Sequence, residues 1–257
     1  MTFTIYNAGA RIAEKHLLAP DIELWRNYMH QTQETSRAAL LAAAFAAAVA
    51  LAQPAIAAET AVELAPLDVA NLYIKTIINQ DEASVAKLNA YLRPTRLAGH
   101  QSAEYASYSG LKEADAKFPT ETGKLIADLF PAAMRAAVTP AAELLAANVI
   151  AAKNGAVCLA TKADPVTVEN GMQTAAVSFE CQLVKVPVAW AAAAQQLAKS
   201  GCKVEQCQAG LQKIAATYTS SPKQTWRAVF AVSREKNAEA WRNDFARETF
   251  DEIWEYL

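Results

Sequence analysis

Histidine is almost missing from this chain, and that scarcity bounds its chemistry. Of three histidines in 257 residues, only His100 lies beyond residue 57. A histidine-based triad would have to be built on it, and no Gly-x-Ser-x-Gly elbow stands nearby. Also missing are a His-Glu-x-x-His zinc pattern, a glycine-rich phosphate loop and a calcium loop. An all-carboxylate metal site is not suggested by the spacings, so no cofactor or metal is expected. There is no run of basic residues, which argues against a nucleic-acid partner, and no acidic tail. No internal repeat and no long linker divides the chain.

What is present begins with an uncharged apolar run. Arg37 is followed by alanine, leucine, phenylalanine and valine up to Ala52, then Gln53-Pro54 and an Ala55-x-Ala57 ending. A positive head, an apolar core, a breaking proline and a small-residue site are the parts of a secretory signal. The run falls short of the roughly 20 strongly apolar residues that a span needs. Cleavage after Ala57 is expected, with an uncleaved anchor as the alternative. Without a cysteine close behind, a lipid-modified terminus is not expected. Met29 stands eight residues before Arg37, so residues 29–57 make a signal of ordinary length. Residues 1–28 then read as an upstream extension from a misplaced start. The alternative is a cytoplasmic tail with an amphipathic segment over 11–28.

From Ala58 the chain has 200 residues, with 20 Lys and Arg against 22 Asp and Glu. That length supports one full domain with a proper core. Alanine is abundant, which favours helices because it loses no side-chain entropy there, and which a GC-rich bacterial genome would also produce. Cys158, Cys181, Cys202 and Cys207 all follow the signal. An even count in an exported chain implies two disulfides. Three connectivities exist. Chain proximity favours Cys158–Cys181 and Cys202–Cys207, read as structural staples. On one straight helix residues five apart diverge by about 140°, so the second pair requires a bend, and Gly201 is placed to supply it.

After a short lead over 58–67, Asp68 is positioned to cap a helix through Val69, Leu72, Tyr73, Thr76 and Ile77. A second helix carries Val85, Leu88 and Leu92 and is expected to stop at Pro94. Residues 95–110 are irregular, and 111–117 read as a helical turn before Pro119. Another helix follows from Thr120 through Leu125, Leu129 and Met134, with a boundary at Pro131. Thr139-Pro140 looks like a helix start, running to a left-handed stop at Asn154-Gly155. The period then changes from 3.6 to 2. Short strands at 157–159 and 166–168 precede Asn170-Gly171, a strong hairpin signal. Residues 175–186 alternate, with Val177, Phe179, Cys181 and Leu183 on one face. Helices are expected at 188–199 and 204–218. A strand over 225–233 follows, with Trp226, Ala228, Phe230 and Val232 facing one way. An amphipathic helix closes the chain.

This order predicts a single α+β domain over 68–257. Its N-terminal helices pack on a small curved antiparallel sheet, a helical insertion precedes the last strand, and a terminal helix follows. The element order is similar to the NTF2-like and cystatin-like curved-sheet folds. The resemblance covers topology only, rests on no motif, and implies no function.

Arg93, Arg96, His100, Tyr105 and Tyr108 form the most polar and aromatic group, in the irregular stretch. Guanidinium forks bind carboxylates and tyrosines offer stacking faces, which suggests capture of a small ligand or peptide carboxylate. The simpler reading is a solvated loop. Asp244, Glu248, Asp251, Glu252 and Glu255 crowd the last helix, where paired carboxylates could act as acid and base. Arg242 and Arg247 are placed to neutralise them. Trp241, Phe245, Phe250 and Trp254 belong to the core or to a partner surface. The combined expectation is a periplasmic or secreted envelope protein that binds a small ligand or a protein partner, including an inhibitor of a secreted toxin or enzyme. The competing class is a hydrolase or isomerase that uses carboxylates and tyrosine in a sheet-lined pocket.

Overall fold

The period-2 segments after Gly155 form one antiparallel sheet, and the helical segments pack around it. The structure, a computed structural model, describes residues 63–235 together with 238, 240–243, 253 and 256. Within them the order is α1 (Pro66–Ile77), α2 (Glu82–Ala98), α3 (Tyr108–Asp128), α4 (Ala132–Asn154), β1 (Val157–Ala163), β2 (Thr167–Glu169), β3 (Met172–Val184), α5 (Trp190–Lys199), α6 (Val204–Ser220) and β4 (Lys223–Glu235). This is an α+β arrangement with N-terminal helices against the sheet. The terminal helix and its carboxylates lie outside the described residues, apart from helical positions 253 and 256.

β3 is the centre of the sheet. Along one edge it pairs with β1 and then β2, and along the other with all of β4, from Met172↔Glu235 to Val184↔Lys223. Asn170 and Gly171 turn the β2–β3 hairpin with φ of 52° and 79°, the paired left-handed geometry that a two-residue turn demands. Strand alternation sends Ala175, Val177, Phe179, Cys181 and Leu183 to an inner face, each almost fully buried. Burying such a valine, leucine or phenylalanine stabilises the fold by about 1.5–3 kcal/mol.

α1 lies on that inner face. Val69, Ala70 and Ile74 are fully buried, and the Tyr73 ring sits 5.5 Å from Phe230 and 5.1 Å from Tyr105. Asp68 is not the cap: α1 starts at Pro66, and Asp68 sits in its first turn. There a carboxylate favours the helix through its dipole instead. Further along, Phe179 meets Trp226 edge-on at 5.5 Å, and Tyr256 reaches Trp226 at 6.2 Å.

The helix ends expected at Pro94 and before Pro119 do not occur, nor does the helix start expected at Thr139-Pro140. α2 runs through Pro94, α3 through Pro119 and α4 through Pro140. Proline removes one helical hydrogen bond and crowds the carbonyl four residues back. Pro94 and Pro140 are exposed, as are Ala90 and Ala136, whose carbonyls are released. Water can accept that role at the surface, while the opposite, buried face of each helix keeps its packing. The expected left-handed stop at Gly155 also differs. Gly155 does end α4, but with φ of −80°.

α3, α4 and α6 pack side by side, with α5 folded back on α6. Gly123 lets α3 and α4 approach closely, since a Cβ there would fall 2.9 Å from Glu143 Cα and N. Asn148 Nδ2 donates to Ala215 O at 3.1 Å and Gln208 Nε2 to Ala137 O at 2.7 Å, fastening α6 to α4. Lys153 and Asp115 form a largely buried ion pair between α4 and α3 at 3.7 Å. Burial holds the Lys153 ammonium below its ordinary pKa, with Asp115 opposing that shift.

Candidate interaction surface

The polar group over 93–108 is organised by an asparagine that sequence reasoning passed over. Asn89 Oδ1 accepts from the Tyr105 and Ala106 N–H groups at 2.8 and 3.1 Å, and its Nδ2 donates to Ala106 O at 2.7 Å. One side chain therefore satisfies three backbone groups of the loop between α2 and α3. Its signal was present: Asn89 is four residues after Val85 and three before Leu92, on the apolar stripe of α2.

Around that anchor the five candidate residues diverge. Arg96 Nε donates to Ser102 O at 2.8 Å, and its guanidinium lies 5.7 Å from the Tyr105 ring centre. Tyr105 turns inward to pack on Tyr73, and burial pushes its hydroxyl up to about 12, with Arg96 opposing. Tyr108 begins α3 and receives the Lys112 ammonium at 5.5 Å from its ring. Arg93 projects from α2 into solvent, and His100 is exposed beyond the helix end. The structure brings Arg96 and Tyr105 together and leaves the other three apart.

His100 has a backbone role. Its φ is 54°, its N–H donates to Leu97 O at 3.1 Å, and the Gln101 N–H donates to Arg96 O at 2.8 Å. These two bonds are a complete Schellman closure with His100 in the position usually taken by glycine.

A second group that the sequence reading missed ties the chain after β4 to the helices. The Tyr91 hydroxyl accepts from the Trp241 N–H at 2.7 Å and the Tyr73 hydroxyl from the Asn243 N–H at 3.2 Å. Ser233 and Arg242 exchange backbone hydrogen bonds at 2.8 Å. The Arg234 guanidinium lies 4.5 Å from the Trp241 ring centre and pairs with Glu63 at 2.9 Å. Trp241 is thus buried in a bridge beside β4. It is neither a helix residue nor part of an exposed aromatic face.

The outer face of the sheet is different. It presents three rows across β1, β3 and β4: Val157–Gln182–Thr225, Leu159–Glu180–Arg227, and Lys162–Ser178–Val229. Val157, Leu159 and Val229 are 64%, 53% and 57% exposed, large fractions for apolar side chains on a strand. Between them Arg227 Nε pairs with Glu180 Oε1 at 2.6 Å, and Gln182 Nε2 donates to Thr225 Oγ1 at 2.8 Å. A bulge at Thr161 sets two outward residues, Thr161 and Lys162, opposite Ser178. Bulges re-aim side chains at functional edges. Beside it lies a shallow depression of about 200 Å³, lined by Thr161, Ser178, Phe179, Glu180, Arg227, Ala228 and Val229. Asn71 Oδ1 accepts from the Ala160 N–H at 2.8 Å, so this edge donor of β1 is occupied and pairing of a foreign strand there is discouraged.

Both disulfides join the residues nearest in the chain. Cys158 and Cys181 face each other across β1 and β3 with Cα atoms 4.1 Å apart. Cys202 and Cys207 bridge the α5–α6 turn with Cα atoms 5.5 Å apart. Gly201, at φ of 68°, supplies the bend. Among the described residues, no three His, Cys, Asp or Glu side chains gather as metal ligands.

No protein-family model matches this chain, and no curated protein sequence is similar to it. One solved structure is similar in outline, a Bacillus subtilis subsp. subtilis str. 168 protein assigned as a lipoprotein (ycdA). The TM-score is 0.40 at 11% identity, over 74% of this chain and 55% of that one. The chain therefore spans about half the length of the protein it matches.

Proposed function

We propose that this chain is an extracytoplasmic cell-envelope protein that binds a protein partner through the outer face of its sheet. The signal-like run before Ala58 and two disulfides support the compartment, because such bonds persist where the surroundings are oxidising. One observation carries the choice of partner. The exposed apolar side chains of Val157, Leu159 and Val229 frame polar pairs on an open face, whereas the depression beside them holds only about 200 Å³. Ligand pockets enclose roughly 300–1,000 Å³. A face that mixes apolar area with hydrogen-bonding pairs has the composition of a protein interface.

The test is affinity capture from envelope extract with the exported protein, compared with a Leu159→Lys/Val229→Lys double variant. Both changes fall on exposed positions, so the disulfides and far-ultraviolet circular dichroism should be unchanged. The expected result is one stoichiometric protein, its recovery reduced about tenfold or more by the variant, as for truncated anchor residues. Capture that survives both lysines, or a small molecule in place of a protein, would overturn the assignment.

A further inference from the structure

In an antiparallel sheet the backbone groups of successive residues point alternately to the two sides of their strand. At the far end of β4, Ser233 exchanges backbone hydrogen bonds with Arg242, and Ala231 O accepts from Asn243 Nδ2. The odd-numbered residues of β4 therefore turn their N–H and C=O groups away from β3. Thr225, Arg227 and Val229 share that parity. Among the described residues, nothing pairs with their outward backbone groups. The chain's own return at Arg242 shows that this side of β4 accepts an added strand.

Proteins blunt an open edge with proline, a bulge, an inward charge or a covering element. β1 has a bulge, and Asn71 occupies its Ala160 N–H. β4 contains no proline, and its register with β3 runs unbroken. What guards it is charge: Lys185, Lys223 and Arg227 stand at its start against Glu180. Like charges placed directly opposite repel. That disfavours β4 of a second copy and favours an acidic strand. The rows across the sheet set the pattern of such a strand. On the outer face it continues Leu159–Glu180–Arg227 with a carboxylate. On the inner face it lies beside Trp226 and Ala228, both half-buried, where apolar side chains fit.

We propose that the free edge of β4 over 225–229 binds an extended acidic segment of a protein partner by strand addition. Carboxylates face outward beside Arg227, and apolar side chains face inward beside Trp226. This rests on the reading that the sheet binds a protein, and it adds how that protein docks. In such complexes main-chain hydrogen bonds supply affinity and alternate side chains supply specificity.

The experiment follows amide hydrogen exchange by NMR in the purified protein, alone and with a synthetic peptide. The probe is about ten residues long and alternates valine with glutamate, and its counterpart alternates valine with lysine. In the free protein the Thr225, Arg227 and Val229 amides should exchange fast, while those of Trp226, Ala228 and Phe230, bonded to β3, should be slow. The glutamate peptide should slow the three edge amides by about tenfold or more and leave the others unchanged. The lysine peptide should not. Arg227→Glu should reverse that preference, with slow Trp226 and Ala228 amides showing that β4 is still paired. Edge amides already slow in the free protein, no slowing by the glutamate peptide, or equal slowing by both peptides would each overturn the proposal. Shifted Leu159 methyl signals without edge protection would also overturn it, yet leave the outer-face reading standing. Failure of that reading is seen separately, in the capture comparison with Leu159→Lys/Val229→Lys.

Discussion

His100, a candidate ligand residue by sequence, also has a backbone role. With φ of 54° it holds the left-handed position that closes α2, a conformation that strains most L-residues and suits glycine. His100→Gly should therefore leave the fold intact and raise stability by a few tenths to about 1 kcal/mol, read from the urea midpoint. A loss of stability would mean that the imidazole makes a contact of its own. Arg96 and Tyr105 are likewise spent on the loop and the core, held there by Asn89. What marks such residues is position: an asparagine on an apolar helix stripe has backbone to satisfy. Asn89 and Asn148 both obey that rule.

Among the elements, the α3–α4 contact depends on one missing side chain. Gly123→Ala would drive a Cβ to 2.9 Å from Glu143 backbone atoms, which cannot move without shifting α4. A loss of about 1–3 kcal/mol is expected by thermal or urea denaturation. Gly110→Ala, in the first turn of α3, meets only Ser107 at 3.4 Å and should be neutral or slightly stabilising. The strands were legible in the sequence because alternation reports directly on a half-buried sheet. Val177, Phe179, Cys181 and Leu183 face inward as their spacing requires. The hairpin at Asn170-Gly171 and the bend at Gly201 were legible because both need positive φ. The helix boundaries at Pro94, Pro119 and Pro140 were not. A proline's local cost is knowable from sequence, but whether its freed carbonyl faces water depends on the packing of the whole helix. The exposed rows on the outer sheet face were also hidden, since strand pairing between residues 16 to 51 positions apart sets which side chains become neighbours.

At the scale of the molecule, the inner face of the sheet is filled by α1 and by aromatic side chains, and among the described residues no element packs over Val157, Leu159 and Val229 on its outer face. A sheet buried on one side and solvated on the other normally carries polar residues outward. Here three large apolar side chains stand among them, and the proposed interface lies there. Site-specific photo-crosslinking in living cells tests that placement most directly. A photoreactive residue at Leu159 in the full chain should yield a covalent adduct with one protein of defined mass, and the same residue at Arg93 should yield none. An adduct at Arg93 in place of Leu159, or none from either position, would contradict the account.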